Sequence, residues 1–190
     1  DRSARNIIHN GLQRLEYRGY DSAGIAVLGK KVEIVKALGD TSNLQLETMS
    51  ESATLGIGHT RWATHGMPSE RNAHPHAVGS VVLVHNGIIE NYEDLKALID
   101  TTKLKSQTDS EVLAALIDTY FTGKKTLLEA TKQALAEVRG TFGIAVFSTK
   151  EPGRIITARR GSPLVIGVGE DQHYIASDPV AIIDHTDKVV

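Results

Sequence analysis

Arg61, Asn86, Gly87 and Asp109 are the residues whose types suit binding and chemistry on a small charged molecule. An arginine held in a turn near Thr60, Thr64 and His65 can grip a planar carboxylate with two parallel hydrogen bonds, although the same residue also suits an ordinary surface ion pair. Asn86-Gly87 follows the apolar run VVLVH. Asn-Gly is the strongest short-range hairpin signal, so a plain turn is one reading. An oxyanion hole is the other, because glycine lets a backbone N–H approach a ligand closely while the Asn amide adds a second donor. Asp109 falls in the first turn of an anticipated helix, where the macrodipole favours an ionised carboxylate, whether that carboxylate serves as a cap or as a partner for a cation.

His59, His65, His74, His76 and His85 raise the question of a metal. His74-Pro75-His76 is not the i, i+4 pair of a helical site and no carboxylate cluster accompanies the set, so no metal is expected. Gly161 and Gly167 flank SPLVIG rather than a phosphate-cradling loop, and no G-x-G-x-x-G opens a helix, which leaves nucleotide binding unsupported. Twenty-one basic and 23 acidic residues give a formal net charge of -2, without the long-range pull on phosphate backbones that a nucleic-acid partner needs. No apolar run approaches bilayer length and the opening residues DRSARN lack a signal-peptide core, which points to a cytoplasmic protein with no membrane partner. The absence of cysteine excludes a disulfide framework and a thiolate zinc site.

The elements that must position these residues follow from periodicity. At 190 residues, 41% hydrophobic and with 17 glycines to 5 prolines, the chain suits one α/β or α+β domain. Residues 3–17 carry Ile7, Ile8, Leu12 and Leu15 on one helical stripe. Strands are predicted at 23–28, 31–37 and 54–58, which puts Arg61 and Trp62 in the turn that follows, and 80–85 is the clearest buried strand. A helix over 92–100 precedes Thr108-Asp109-Ser110-Glu111, a capping-box pattern that opens a helix through Tyr120, and a further helix spans 126–138. Beyond Gly140 the period becomes two, giving strands at 141–148, 154–158, 164–168 and 173–176, a short helix at 178–184 and a strand at 188–190. Stacked antiparallel sheets covered by helical layers, an α+β fold, fit this order.

Six motifs occur in sequence: LEYRGYDSAG (15–24), HTRWATHG (59–66), NAHPH (72–76), HNGIIEN (85–91), QTDSEV (107–112) and ARRGSPLVIG (158–167). Together they resemble the glutaminase domain of the glutamine–fructose-6-phosphate aminotransferases, the glucosamine-6-phosphate synthases. Amidophosphoribosyltransferases share the HNG element, but YRGYDS and the segment from Arg61 to His65 look like the aminosugar branch. The resemblance implies the N-terminal-nucleophile hydrolase fold, an αββα sandwich of two mainly antiparallel sheets between helical layers.

It also implies glutamine hydrolysis by an N-terminal cysteine whose α-amino group is the base, through a thioester, with ammonia leaving. Asn86 and Gly87 would stabilise the oxyanion, Arg61 would bind the glutamine carboxylate and Asp109 its ammonium. Thr64 and His65 would line the same pocket, Arg18 would support the nucleophile end, and Trp62 would gate ammonia. L-Glutamine, a sugar-phosphate isomerase domain of the same chain and a homo-oligomer formed through that domain are the implied partners, with no cofactor. The family begins with Cys-Gly at the tip of a first strand, whereas this sequence begins at Asp1. Residues 1–190 are thus expected to be a glutaminase domain without that strand, its nucleophile and the domain's last part, with the isomerase domain absent, and to be inactive alone. A glutamine-binding or interaction module without chemistry is the first alternative, and the glutaminase domain of an amidophosphoribosyltransferase the second.

Overall fold

The computed structural model describes residues 3–62 and 67–190. Helix α1 (Ala4–Leu15) packs on an antiparallel sheet of β1 (Ser22–Leu28), β2 (Val32–Leu38) and β3 (Leu55–Arg61), in the order β2-β1-β3. A second antiparallel sheet runs β4 (His76–Val78), β5 (Val81–Ile89), β6 (Gly140–Ser148) and β7 (Glu151–Arg160), in that order. Its outer face carries α3 (Asp109–Tyr120) and α4 (Leu127–Glu137), with α2 (Tyr92–Leu95) beside them, and a ribbon of β8 (Val165–Val168) and β9 (His173–Ala176) completes the fold. The order helix, sheet, sheet, helices is the αββα sandwich that the motifs imply.

Alternation along the strands explains the layering. Ala23, Ile25 and Val27 of β1 join Leu12 of α1 in one core, while Ala26 between them points to the other sheet. In β5, Val81 and Leu83 meet Leu113, Leu116 and other residues of α3, whereas Val82 and Val84 meet Ala26 and Ile57 across the sandwich. In β6, Ile144 and Val146 take the helical side and Ala145 and Phe147 the inner one. Strands buried on both faces must be apolar at every position, and these central runs are.

Several expected boundaries shift. β3 continues to Arg61 and β5 continues through Asn86-Gly87 to Ile89, because β1 and β6 pair with them along their whole lengths. The 92–100 helix breaks after Leu95 into 3-10 turns at Lys96–Leu98 and Thr101–Lys103, the second capped by the Asp100 carboxylate accepting from Thr102 N–H. The 178–184 helix is reduced to a 3-10 turn, Pro179–Ala181, capped by Asp178. Strand β4, three residues long, had no readable period. Residues 188–190, expected as a strand, form only an isolated bridge beside β8, with Val190 N–H donating to Ile166 O at 2.9 Å. Among the described residues no helix is long and apolar enough to cross a membrane.

Candidate functional site

Arg18, Arg61, Trp62, Asn86, Gly87 and Asp109 line one cleft of about 380 Å³. Thr64 and His65 lie outside the described residues. Arg61 is not in a turn: it closes β3, opposite Ser22 of β1, and is 4% exposed, with Nη1 4.0 Å from Asp21 Oδ1. Strand pairing fixes its Cα, a firmer anchor than the expected turn would provide. Its burial removes the reading as a solvated surface arginine. Asp109, likewise 4% exposed, stands at the start of α3, where Oδ2 accepts from Ile89 N–H at 2.8 Å and Oδ1 from Ser110 N–H at 2.9 Å. The cleft therefore brings a buried cation and a buried anion to one cavity, the anion held by backbone donors and by the helix N-terminus.

Asn86-Gly87 forms no hairpin turn. Both residues lie within β5 opposite Gly143 and Phe142 of β6, so the local turn signal is overridden by a nine-residue pairing. Gly87 has φ +131°, and a Cβ there would stand 2.2 Å from Thr141 O. Only glycine lets the strand pass so close to its neighbour at this φ. Asn86 is tied at both ends: its carbonyl accepts from Ser162 Oγ at 3.1 Å, and its Oδ1 lies 2.9 Å from His59 Nε2.

Four described histidines support this corner. His85 donates from Nε2 to Thr141 O at 3.3 Å, while its Nδ1 is 2.9 Å from Ser110 Oγ. His74 Nδ1 accepts from the His85 backbone N–H at 3.2 Å, and its ring stacks on His59 with centroids 4.3 Å apart and planes 19° off parallel. His76 Nε2 is 3.0 Å from Thr108 Oγ1. Burial pushes His59 down to about 4, aided by His85 and Arg61 and opposed by Asn86, and it holds His74 and His76 well below the usual imidazole range. These rings are neutral near pH 7, as a packed set beside a guanidinium must be. Gly24 of β1 makes room for them, since a Cβ there would stand 2.1 Å from His74 O.

Arg18 ends the 3-10 turn Glu16–Arg18, with Nη1 3.4 Å from Ser177 Oγ and 4.0 Å from Asp178 Oδ2. Trp62 is 71% exposed and lies over Gly19, where a Cβ would fall 1.8 Å from its ring. Sequence reasoning missed a second cavity. An apolar groove of about 670 Å³ runs between β3 and β9, roofed by Ile8, Leu12 and Leu15 of α1 and floored by Val84 and Ala145. Among the described residues β3 pairs only with β1 and β9 only with β8, so two strand edges flank this groove. Leu15, His59, Thr60, His85, Asn86 and Ser177 line both cavities, so the groove opens into the cleft at Asn86. No local motif could reveal it, because its walls lie more than a hundred residues apart in sequence.

A family described as the glutamine amidotransferase domain matches residues 59–184. The glutamine–fructose-6-phosphate aminotransferase (isomerizing) of Chlorobaculum tepidum is 52% identical over an alignment covering 100% of this chain and 33% of that protein. Its counterpart from Methanosarcina acetivorans is 46% identical, covering 99% and 33%. The chain thus spans about a third of the length of the curated relatives it matches. Among solved structures, a glutamine phosphoribosylpyrophosphate amidotransferase from B. subtilis, complexed with ADP and GMP, superposes with a TM-score of 0.80 at 27% identity, covering 97% of this chain and 42% of its own. A structure described as the allosteric regulatory enzyme of purine biosynthesis gives 0.81 at 29%, covering 96% and 42%. With two thirds of its length matched by that family and its sandwich shared with these structures, the chain belongs to the glutamine amidotransferase domain family.

Proposed function

We propose that this chain is the glutamine-binding and oxyanion-stabilising part of a glutaminase whose nucleophile is a cysteine heading a strand laid in the groove between β3 and β9. The observation that carries this reading is the junction of the two cavities at Asn86. A strand added between two open edges would gain ladder hydrogen bonds on both sides, and its alternating side chains would meet α1 above and β5 and β6 below. Its first residue would then stand at the cleft, beside Arg18 and Asn86.

In this mechanism Arg61 binds the α-carboxylate of glutamine and Asp109 its α-ammonium, so a zwitterion is oriented by one cation and one anion at fixed separation. The cysteine thiol gives its proton to its own α-amino group and the thiolate attacks the side-chain amide carbon. Negative charge passes to the former carbonyl oxygen, which Asn86 Nδ2 and the Gly87 N–H stabilise. The C–N bond breaks as the protonated α-amino group returns its proton to the leaving nitrogen, releasing ammonia and a thioester. Water, deprotonated by the same amine, then cleaves the thioester to glutamate and restores the thiol. Arg18 supports the nucleophile end, and Trp62, exposed at the rim, gates the path by which ammonia leaves.

Identity of 52% to an aminotransferase acting on fructose 6-phosphate, against 27% to a phosphoribosylpyrophosphate amidotransferase, supports fructose 6-phosphate as the acceptor and glucosamine 6-phosphate as the product. A sugar-phosphate isomerase domain in the same cytoplasmic polypeptide would receive the ammonia and carry the contacts of a homo-oligomer. The test is ammonia and glutamate release from glutamine by the full-length protein, with and without fructose 6-phosphate. Turnover stimulated by the sugar phosphate is the expected result. Glutamine binding without turnover would favour a non-catalytic module, and stimulation by phosphoribosyl pyrophosphate instead would favour the purine branch.

A further inference from the structure

An Asn side chain that serves an oxyanion must present its NH2 group, not its carbonyl oxygen, and the amide itself is nearly indifferent between the two orientations. In this structure the choice is made by His59, whose Nε2 lies 2.9 Å from Asn86 Oδ1. Two observations set the direction of that bond. His59 Nδ1 is sealed from solvent and has no hydrogen-bond partner among the described residues. A proton on it would be a buried orphan N–H, rarer in folded proteins than an unused acceptor and costly for the same reason. The ring therefore carries its proton on Nε2, donates it to Asn86 Oδ1, and turns Asn86 Nδ2 to the opposite side of the amide. The plane of the imidazole is held in turn by the stack on His74, which the His85 backbone N–H fixes through Nδ1.

We propose that His59, to which no role in glutamine hydrolysis is assigned above, is a positioning residue that sets the orientation of the Asn86 amide and so assembles one half of the oxyanion hole. This role rests on the reading of Asn86 as an oxyanion donor. It makes no contact with glutamine necessary, so its loss acts on the rate of the chemical step more than on binding.

The experiment uses the full-length enzyme and four variants: His59→Phe, His59→Gln, Asn86→Ala and the double variant His59→Phe/Asn86→Ala. His59→Phe keeps the ring and its stack but removes the donor, and kcat for glutamine hydrolysis is expected to fall by about 10- to 100-fold with the glutamine KM within about threefold of wild type. His59→Gln, with an N–H at similar reach, recovers most of that loss. The double variant is no slower than Asn86→Ala alone, because both substitutions remove the same interaction. Losses that multiply in the double variant, or a defect carried by KM, overturn the role. Nitrogen-resolved spectra of the imidazole in the wild-type protein give a reading independent of turnover: a neutral ring protonated on Nε2 from about pH 5 to 8 is expected, and protonation on Nδ1 overturns the proposal. A wild-type enzyme without glutaminase activity overturns the functional reading and this role with it, whereas an active enzyme with multiplicative losses overturns the role alone.

Discussion

The pattern Thr-x-x-Glu opens two helices of this molecule, and the two copies are used differently. At α4, Thr126 Oγ1 accepts from Glu129 N–H while the Glu129 carboxylate returns to Thr126 N–H, a closed reciprocal box on the exposed surface. At α3, Thr108 Oγ1 accepts from Glu111 N–H as expected, but the Glu111 carboxylate accepts instead from the N–H groups of Lys105 and Ser106. Thr108 is shared with His76, and Asp109 reaches across to Ile89 N–H. One motif satisfies itself; the other is spread over the neighbouring loop, a strand and a histidine. The sequence pattern sets where a helix begins, and burial decides what its capping groups do next.

Substitutions test that contrast, beginning where the effect is largest. On the proposed function, in which Asp109 pairs with the substrate ammonium, Asp109→Asn should lower kcat/KM for glutamine by about 10³-fold in the full-length enzyme, since that buried charge is lost. Its melting temperature should fall only slightly, because the amide oxygen still accepts from Ile89 N–H and only the local bond from Ser110 N–H is lost. A lower melting temperature with unchanged glutamine kinetics would make Asp109 a cap and nothing more. Glu111→Ala should destabilise the domain by on the order of 2 kcal/mol in urea titrations, as the Lys105 and Ser106 N–H groups lose the buried carboxylate that accepts from them. Glu129→Ala, its counterpart on the surface, should barely move the midpoint.

Acid separates the two helix starts again. His74 and His76 are held well below the ordinary imidazole value and His59 at about 4, so the unfolded chain binds protons there before the folded one does. Their contribution to stability is complete above the unfolded value near pH 6.5 and is lost as pH falls toward the folded values, with a slope approaching about 1.4 kcal/mol per pH unit for each fully buried ring. Urea midpoints measured from neutral to acidic pH should fall through that window. His76→Phe should flatten the decline, whereas substitutions at α4 should leave it unchanged. Thr108→Ala should cost about 2 kcal/mol through the lost cap and the stranded His76, and Thr126→Ala at most about 1 kcal/mol. Equal costs at the two threonines would erase the distinction between the helices.

Much of this was legible in the sequence. Apolar runs in β1, β5 and β6, which alternate between two cores, mark the inner layers, and Arg61, Asn86, Gly87 and Asp109 stand out by type and converge on one cleft. What was hidden depended on partners far along the chain. Asn86-Gly87 carries a turn signal that only the pairing with β6 overrides, and Glu111 matches a box that only the position of the 105–106 backbone opens. The groove needs β3 and β9 side by side, and His59 acquires its role only from a strand 27 residues further on.

Gly24 belongs to a strand that contributes no residue to the cleft, yet the missing methyl at that position sets how near β1 lies to the carbonyl of His74. His74 carries the stack on which His59 rests, and His59 holds Asn86. Tolerance to mutation in this domain therefore does not decline smoothly with distance from the ligand. A conservative alanine two layers away, outside the residues that line the cleft, would be transmitted through two stacked rings to the Asn86 amide, the proposed oxyanion donor.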